Sequence, residues 1–250
     1  MPRFFVSKPN INGSEVTLGG DDARHIALSL RMKIGDEITV CCECVDYLCV
    51  IAAIGRHTVT AKIIYWEKCP NEPSIRLTLY QAVPKQGKLD TIIQKAVELG
   101  VYETVPVRTA RSAADPVSFS KKQERYEKIS LEAAKQCGRG IIPRIAPLTD
   151  FKSAIKRAAG AGECGVSDSC DNRTALIFYE GGGIRLSEME FPVSGDVSVF
   201  IGSEGGFEQT EIDAAKALGF RVIWLGNRIL RCETAPVAAI SLVMYLTGNL

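Results

Sequence analysis

The chain has 250 residues, enough for one or two domains with a sizeable core. Its 46% hydrophobic and 24% charged content is the balance of a soluble globular protein, and the net charge of +1 excludes a uniformly basic, nucleic-acid-coating chain. No apolar run is long enough to cross a bilayer and the start, MPRFFVSKPN, lacks a secretory apolar core, so the nine irregularly spaced cysteines read as reduced thiols in a cytoplasm.

Residues 1–72 read as a small β-rich unit. Short strand-like runs at Phe4–Val6, Glu15–Leu18, Glu37–Val40, Tyr47–Ile51 and Val59–Ile64 are separated by turn residues such as Asn12-Gly13 and Gly35-Asp36. Strands at that spacing predict a small barrel or sandwich. One helix interrupts them, from about Asp21 to Met32, and His25 on it either faces phosphate or is a plain surface residue. Cys41-Cys42-Glu43-Cys44 contains a CxxC, but no second Cys/His pair stands at zinc-ligand spacing, so thiols without a metal are expected. Lys68 to Pro73, with two prolines, is the best linker.

From residue 73 to 250 the rhythm is strand, helix, strand. Ile75–Tyr80 alternates as a strand, and Leu89, Ile92, Ile93, Ala96 and Val97 repeat at helical spacing up to a stop at Gly100. Thr104–Val107 is a strand, Lys121–Cys137 a long helix, Phe151–Ala159 a helix and Ala175–Tyr179 a strand. This order predicts a mostly parallel sheet covered on both faces. Residues 76–144 hold 13 Lys/Arg against 7 Asp/Glu, which is either a nucleic-acid footprint or a solvated helix face.

Two glycine-bearing stretches need a decision. Gly160-Ala161-Gly162-Glu163-Cys164-Gly165 matches the dinucleotide pattern but follows a helix, so it reads as a helix stop and loop; Gly181-Gly182-Gly183 reads as a flexible turn. More telling is Val197–Ile201, a buried-strand pattern that runs into Gly202-Ser203-Glu204-Gly205-Gly206, then a short helix, then the strand Val222–Leu225 running into Gly226-Asn227-Arg228. Two strands ending in glycine loops one helix apart bring both loops to one edge of an α/β sheet, where ligands bind. No Lys-Ser/Thr follows the first loop, so it is not a P-loop. Taken alone it could be a tight strand-to-helix turn; Arg228 and Arg231 in the second loop favour an anionic ligand. The last helix, about Ala235–Leu246, is apolar almost all round and must be buried in the core or against a second subunit.

IGSEGGF together with LGNRILRCETAP closely resembles the 16S ribosomal RNA (uracil-N3)-methyltransferase family of the knotted SPOUT class. Arg3-Phe4-Phe5, His25 with Leu30-Arg31, Lys95 to Val101 and Glu132 to Arg139 fall where that family has its own motifs, so the resemblance covers the whole chain. It implies a PUA-like N-terminal β-barrel, a C-terminal α/β domain with a trefoil knot, S-adenosylmethionine as methyl donor, a homodimer, and 16S rRNA or the small ribosomal subunit as partner, with no metal. Two positions depart from the family pattern: Ser203 replaces a proline, loosening the loop, and Glu208 replaces a helix-capping serine.

Carried over residue by residue, the resemblance implies a cofactor pocket at Phe178, Tyr179, Glu180, Gly202, Ser203, Glu204, Gly205, Leu225, Gly226, Arg228, Ile229 and Leu230, closed by Thr234. Uracil N3 must lose a proton before it is nucleophilic, so Glu204 is the candidate base, and Arg231 or Arg139 the candidate for stabilising the anion. Arg3, Arg24, Arg31, Lys85, Lys88, Lys95 and Arg139 are the expected phosphate contacts. A catalytically idle RNA-binding module of the same fold, and an α/β enzyme acting on a small nucleotide, remain as readings from other classes.

Overall fold

A computed structural model describes residues 1–85, 87–112, 114–160, 172–191 and 193–250. The chain divides into two compact units, Met1–Glu72 with Ala134–Ile142, and Pro73–Ala133 with Pro143–Leu250. Among the described residues no helix is long and apolar enough to cross a membrane, and no group of three or more His, Cys, Asp or Glu is arranged to hold a metal ion.

The first unit is a six-stranded sheet. Its strands are β1 (Arg3–Phe5), β2 (Ile11–Asn12), β3 (Glu15–Gly19), β4 (Glu37–Cys42), β5 (Val45–Ile54) and β6 (Thr58–Lys68), in the order β1-β4-β5-β6-β3-β2. All neighbours are antiparallel except β1 with β4. Alternation builds the core: β3 buries Val16 and Leu18 and exposes Glu15 and Thr17, and Phe4, Ile38, Val40, Ile51 and Val59 join them. The expected helix from Asp21 is a single α turn, α1 (Gly20–Arg24), that widens into a π turn over His25–Ser29. Cys44 does not continue the strand: Glu43 and Cys44 have φ of 49° and 64° and turn β4 into β5. The proline-rich linker is not a loose tether either. Cys69 is buried, and the Glu72 carboxylate accepts hydrogen bonds from Arg139 and from the backbone N–H groups of Gly140 and Ile141.

The second unit holds a parallel sheet in the order β10-β8-β7-β12-β11-β13, with β9 also on β8. The strands are β7 (Ile75–Ala82), β8 (Glu103–Arg108), β9 (Arg144–Ile145), β10 (Thr149–Asp150), β11 (Arg173–Phe178), β12 (Gly195–Ile201) and β13 (Arg221–Ile223). The helices are α2 (Lys88–Glu98), α3 (Pro116–Ser120), α4 (Gln123–Cys137), α5 (Phe151–Ala158), α6 (Gln209–Ala217) and α7 (Thr234–Leu246). Central strands apolar at nearly every position serve two cores at once. Val197, Val199 and Ile201 of β12 pack with Leu89, Ile93, Ile240 and Val243, while Phe200 faces the other way among Phe151, Phe207 and Ile212. Phe200 also stacks on Tyr80 with ring centroids 4.2 Å apart. All these strands run the same way, so β11, β12 and β13 end at one edge.

α7 is the apolar helix expected at the C-terminus, and it is buried on one face only. Pro236, Ala239, Ile240, Val243 and Met244 point into the core, while Leu242, Tyr245 and Leu246 are exposed. Of the dinucleotide-like run, only Gly160 is described, with φ of 69° after α5; the remainder lies outside the described residues.

Candidate functional site

Strand order decides the site. β12 and β13, whose loops the sequence sets side by side, are separated by β11. Three loops therefore meet at the edge: 179–183 after β11, 202–206 after β12, and 224–231 after β13. Together they enclose a cavity of about 720 Å3, within the range of small-molecule sites.

Phe178 at the end of β11 lines the cavity, and the first loop adds Tyr179, Glu180, Gly181 and Gly182. The triple glycine is a structural requirement rather than a loose turn. A Cβ at Gly183 would lie 2.4 Å from the backbone carbonyl oxygen of Val222, which cannot move aside without breaking the sheet edge. That close approach lets Ile184 N donate to Val222 O at 3.0 Å and Trp224 N to Ile184 O at 3.0 Å.

The second loop is pinned from several sides. Gly206 N donates to Ser203 O at 3.0 Å, and Gly206 adopts φ of 65°. A Cβ on Gly206 would meet the Glu180 carboxylate at 2.2 Å, so the missing side chain lets Glu180 cross from the first loop. The Gln81 amide donates to Gly202 O at 3.2 Å, and Arg111 donates to Gly205 O at 2.9 Å. Ser203 is buried, and its hydroxyl donates to Arg111 O at 3.4 Å, which ties the loop to the segment after β8. The start of α6 is likewise well closed despite Glu208. Glu211 accepts from Glu208 N at 2.9 Å and from Ala110 N at 3.0 Å.

Gly202, Ser203 and Glu204 line the cavity, as do Leu225, Gly226, Arg228, Ile229, Leu230 and Arg231 of the third loop. Gly205 and Thr234 do not; Gly205 turns toward Arg111 and Thr234 opens α7. Among the described residues neither Arg228 nor Arg231 has an ion-pair partner, so both guanidiniums are available to an anionic group.

An acid–base cluster at the cavity was not legible in the sequence. Lys88, at the start of α2, lies 3.2 Å from Glu204 and 3.3 Å from Glu233, and the Lys85 backbone N–H donates to both Glu204 oxygens at 3.2 Å. Burial by itself would raise the Glu204 pKa. Hydrogen bonds from its own N–H, from Lys85, from Lys88 and from Cys232 outweigh it and hold the carboxyl below its ordinary value. Glu233 is held down by the Cys232 thiol, by its own N–H and by Lys88. Burial, then the neighbouring Glu233, pushes the Cys232 thiol up to about 12, so it is a neutral hydrogen-bond donor. The Lys88 ammonium is stabilised in its charged form by both carboxylates.

The expected phosphate contacts separate into inward and outward groups. Arg3 pairs with Asp46 and only 8% of its side chain is exposed, and Arg139, 3% exposed, is gripped by Glu72 at 2.8 Å through both Nε and a terminal nitrogen. Both pairings have one cause that the sequence hides: Asp46 and Glu72 lie 43 and 67 residues away, so each arginine reads as unpaired until the fold is known. Lys88 belongs to the cavity cluster. Arg24 pairs with Asp21 at 2.6 Å and Lys95 with Glu98 at 2.8 Å, both on the surface, and Arg31 is exposed. Lys85 spends its backbone N–H on Glu204 and leaves its own side chain to solvent.

Comparison with known proteins agrees with this architecture. The RNA methyltransferase domain family matches residues 70–244, and the RNA methyltransferase PUA domain family matches residues 18–64. Ribosomal RNA small subunit methyltransferase E of Bacillus subtilis is 30% identical over 99% of this chain and 97% of its own, and that of Mesomycoplasma hyopneumoniae is 34% identical over 95% and 96%. A crystal structure of ribosomal RNA small subunit methyltransferase E from Neisseria gonorrhoeae bound to S-adenosyl methionine superposes with a TM-score of 0.84 at 29% identity, covering 98% of each chain. A putative methyltransferase from Legionella pneumophila, in complex with the same cofactor, superposes with a TM-score of 0.81 at 26% identity over 97% of this chain and 96% of that one. With a PUA-type first unit and a three-loop cavity at the edge of a parallel sheet, the chain belongs to the ribosomal RNA small subunit methyltransferase E family of RNA methyltransferases.

Proposed function

We propose that this protein is an S-adenosylmethionine-dependent methyltransferase that methylates N3 of a uracil in 16S rRNA. The observation that carries the reading is the three-loop cavity, which pairs an apolar floor with carboxylates and free guanidiniums. Phe178, Ile201, Ile223 and Leu230 would take an adenine ring, Arg228 a carboxylate, and the ionised Glu204 a nearby positive charge. These residues fit the cofactor, which supplies an electrophilic methyl group on a sulfonium.

The chain's own task is to hold the base and remove its proton. Displacement at a sulfonium methyl needs alignment rather than a metal, and the three pinned loops provide it. The N3 proton passes to Glu204 Oε2, the oxygen that Lys88 does not bridge. Arg231 faces the uracil oxygens as negative charge develops on them. Exposed Arg24, Arg31 and Lys85, with the half-buried Lys95, are the phosphate contacts, and they make binding fall steeply with salt. The reading extends to a trefoil knot in the second unit, a cytoplasmic location, and a homodimer that covers Leu242, Tyr245 and Leu246 on α7.

The test is deletion of the gene followed by reverse transcription of ribosomal RNA. A methyl at N3 blocks Watson–Crick pairing, so the parent strain should show a stop in 16S rRNA that vanishes in the deletion and returns on complementation. A stop pattern identical in the two strains overturns the reading.

A further inference from the structure

Two thiols of the first unit converge without being bonded. Cys44 stands immediately before β5 and Cys69 immediately after β6. The β5–β6 ladder reaches Val45↔Lys68, and the next position is closed by Cys69 N donating to Cys44 O at 2.8 Å. The two residues thus face each other across the open end of a hairpin, where Cα atoms stand about 5.5 Å apart, inside the span that a disulfide bridges.

The sulfurs also point the same way. A Cβ built on Gly140 would lie 2.8 Å from Cys44 Sγ and 2.9 Å from Cys69 Sγ. Both sulfurs therefore border one small space that Gly140 leaves open by having no side chain, and they are separated by no more than the sum of those two distances. Cys44 is half-buried and so the more accessible, while Cys69 is buried at 4% exposure. Cys41 also lies against Gly140, but it is fully buried and its thiol donates to the Gly140 carbonyl at 3.3 Å.

We propose that Cys44 and Cys69 form an intramolecular disulfide on exposure to a hydroperoxide, stapling the open end of the β5–β6 hairpin. The Cys44 sulfur attacks the peroxide O–O bond, giving a sulfenic acid and releasing water or an alcohol. The Cys69 sulfur then displaces that hydroxyl as water, so two thiols are oxidised by two electrons and one peroxide is reduced. The new bond closes the chain that runs through β5 and β6, and it ties the hairpin to the segment that carries Glu72.

The test uses the full-length protein, treated with graded hydrogen peroxide, alkylated under denaturing conditions and mapped without reduction. The expected product is one peptide pair linking Cys44 to Cys69, lighter by two hydrogens and released by dithiothreitol. Tm should rise by roughly 5–10 °C in the oxidised protein and return on reduction. Cys44→Ser and Cys69→Ser should each abolish both signals, whereas Cys41→Ser leaves them in place; if Cys69→Ser does not fold, Cys44→Ser carries the result. A link to Cys41, or sulfinic acid at Cys44 with no cross-link, overturns the proposal.

Discussion

Glu72 grips Arg139 with both carboxylate oxygens, each at 2.8 Å from a guanidinium nitrogen, in a pair whose arginine side chain is only 3% exposed. The same carboxylate also accepts the Gly140 and Ile141 N–H groups, so one side chain satisfies several donors at once. Removing the carboxylate leaves a buried cation and orphaned backbone donors. Glu72→Ala should therefore cost about 3–5 kcal/mol in urea unfolding, and Glu72→Gln, which can still accept hydrogen bonds, distinctly less. Equal stability of Glu72→Ala and wild type would mean that the pair contributes nothing.

How much of this was legible in the sequence follows from which partners are local. Val197 to Ile201 announces a buried strand because nearly every residue is apolar, and the strand lies where it reads. The helix after Gly87 shows its core face through Leu89, Ile92, Ile93, Ala96 and Val97, all of which are buried. Strand order is not written in any single segment, so the insertion of β11 between β12 and β13 stayed hidden, and with it the role of Gly181 to Gly183. Arg3 and Arg139 looked like phosphate ligands because Asp46 and Glu72 lie 43 and 67 residues away from them. The Lys88–Glu204–Glu233 cluster gathers three distant segments and carries no local signature.

The glycine loop should respond to pH through Glu204. Its pKa in the folded protein lies below the ordinary 4.5, so the stability it contributes is fully present above that value and disappears as pH falls through the folded pKa. Glu204→Gln removes the titration. The stability gap between wild type and Glu204→Gln should be constant near neutrality and shrink only below pH 4.5, as followed by thermal unfolding across pH. At saturating cofactor the same variant should transfer methyl at a rate lower by roughly 10²–10⁴-fold, the loss expected when a general base is removed. Wild-type turnover would assign proton removal to another group.

Close backbone packing makes Gly183 the most sensitive glycine of the first loop. The Cβ of Gly183→Ala would meet Val222 O at 2.4 Å and the Val222 carbonyl carbon at 2.8 Å, and both atoms belong to the sheet edge. Relief requires the loop to move away from β13, at a cost of about 1–3 kcal/mol. Because Tyr179, Gly181 and Gly182 form the cavity wall, cofactor affinity should fall at least about tenfold by calorimetry, with Tm lowered in parallel. Unchanged affinity would show that the wall tolerates the shift.

The exposed side of α7 provides the sharpest test of assembly. Leu242, Tyr245 and Leu246 are 42%, 68% and 40% exposed on a helix whose opposite side is locked into the core by Ile240, Val243 and Met244. Water-facing leucines one turn apart on a terminal helix are costly unless a second surface covers them, and a second copy of the chain offers the same apolar stripe in return. Leu242→Asp with Tyr245→Asp leaves the core contacts untouched, so the variant should keep wild-type circular dichroism while sedimenting as a monomer. If the methyl-transfer site depends on the dimer, activity should fall with dimer content, and raising protein concentration should recover part of it in either single variant. A double variant that sediments with wild type would assign the interface to another face, because two carboxylates cannot be buried against their own copies without a compensating cation.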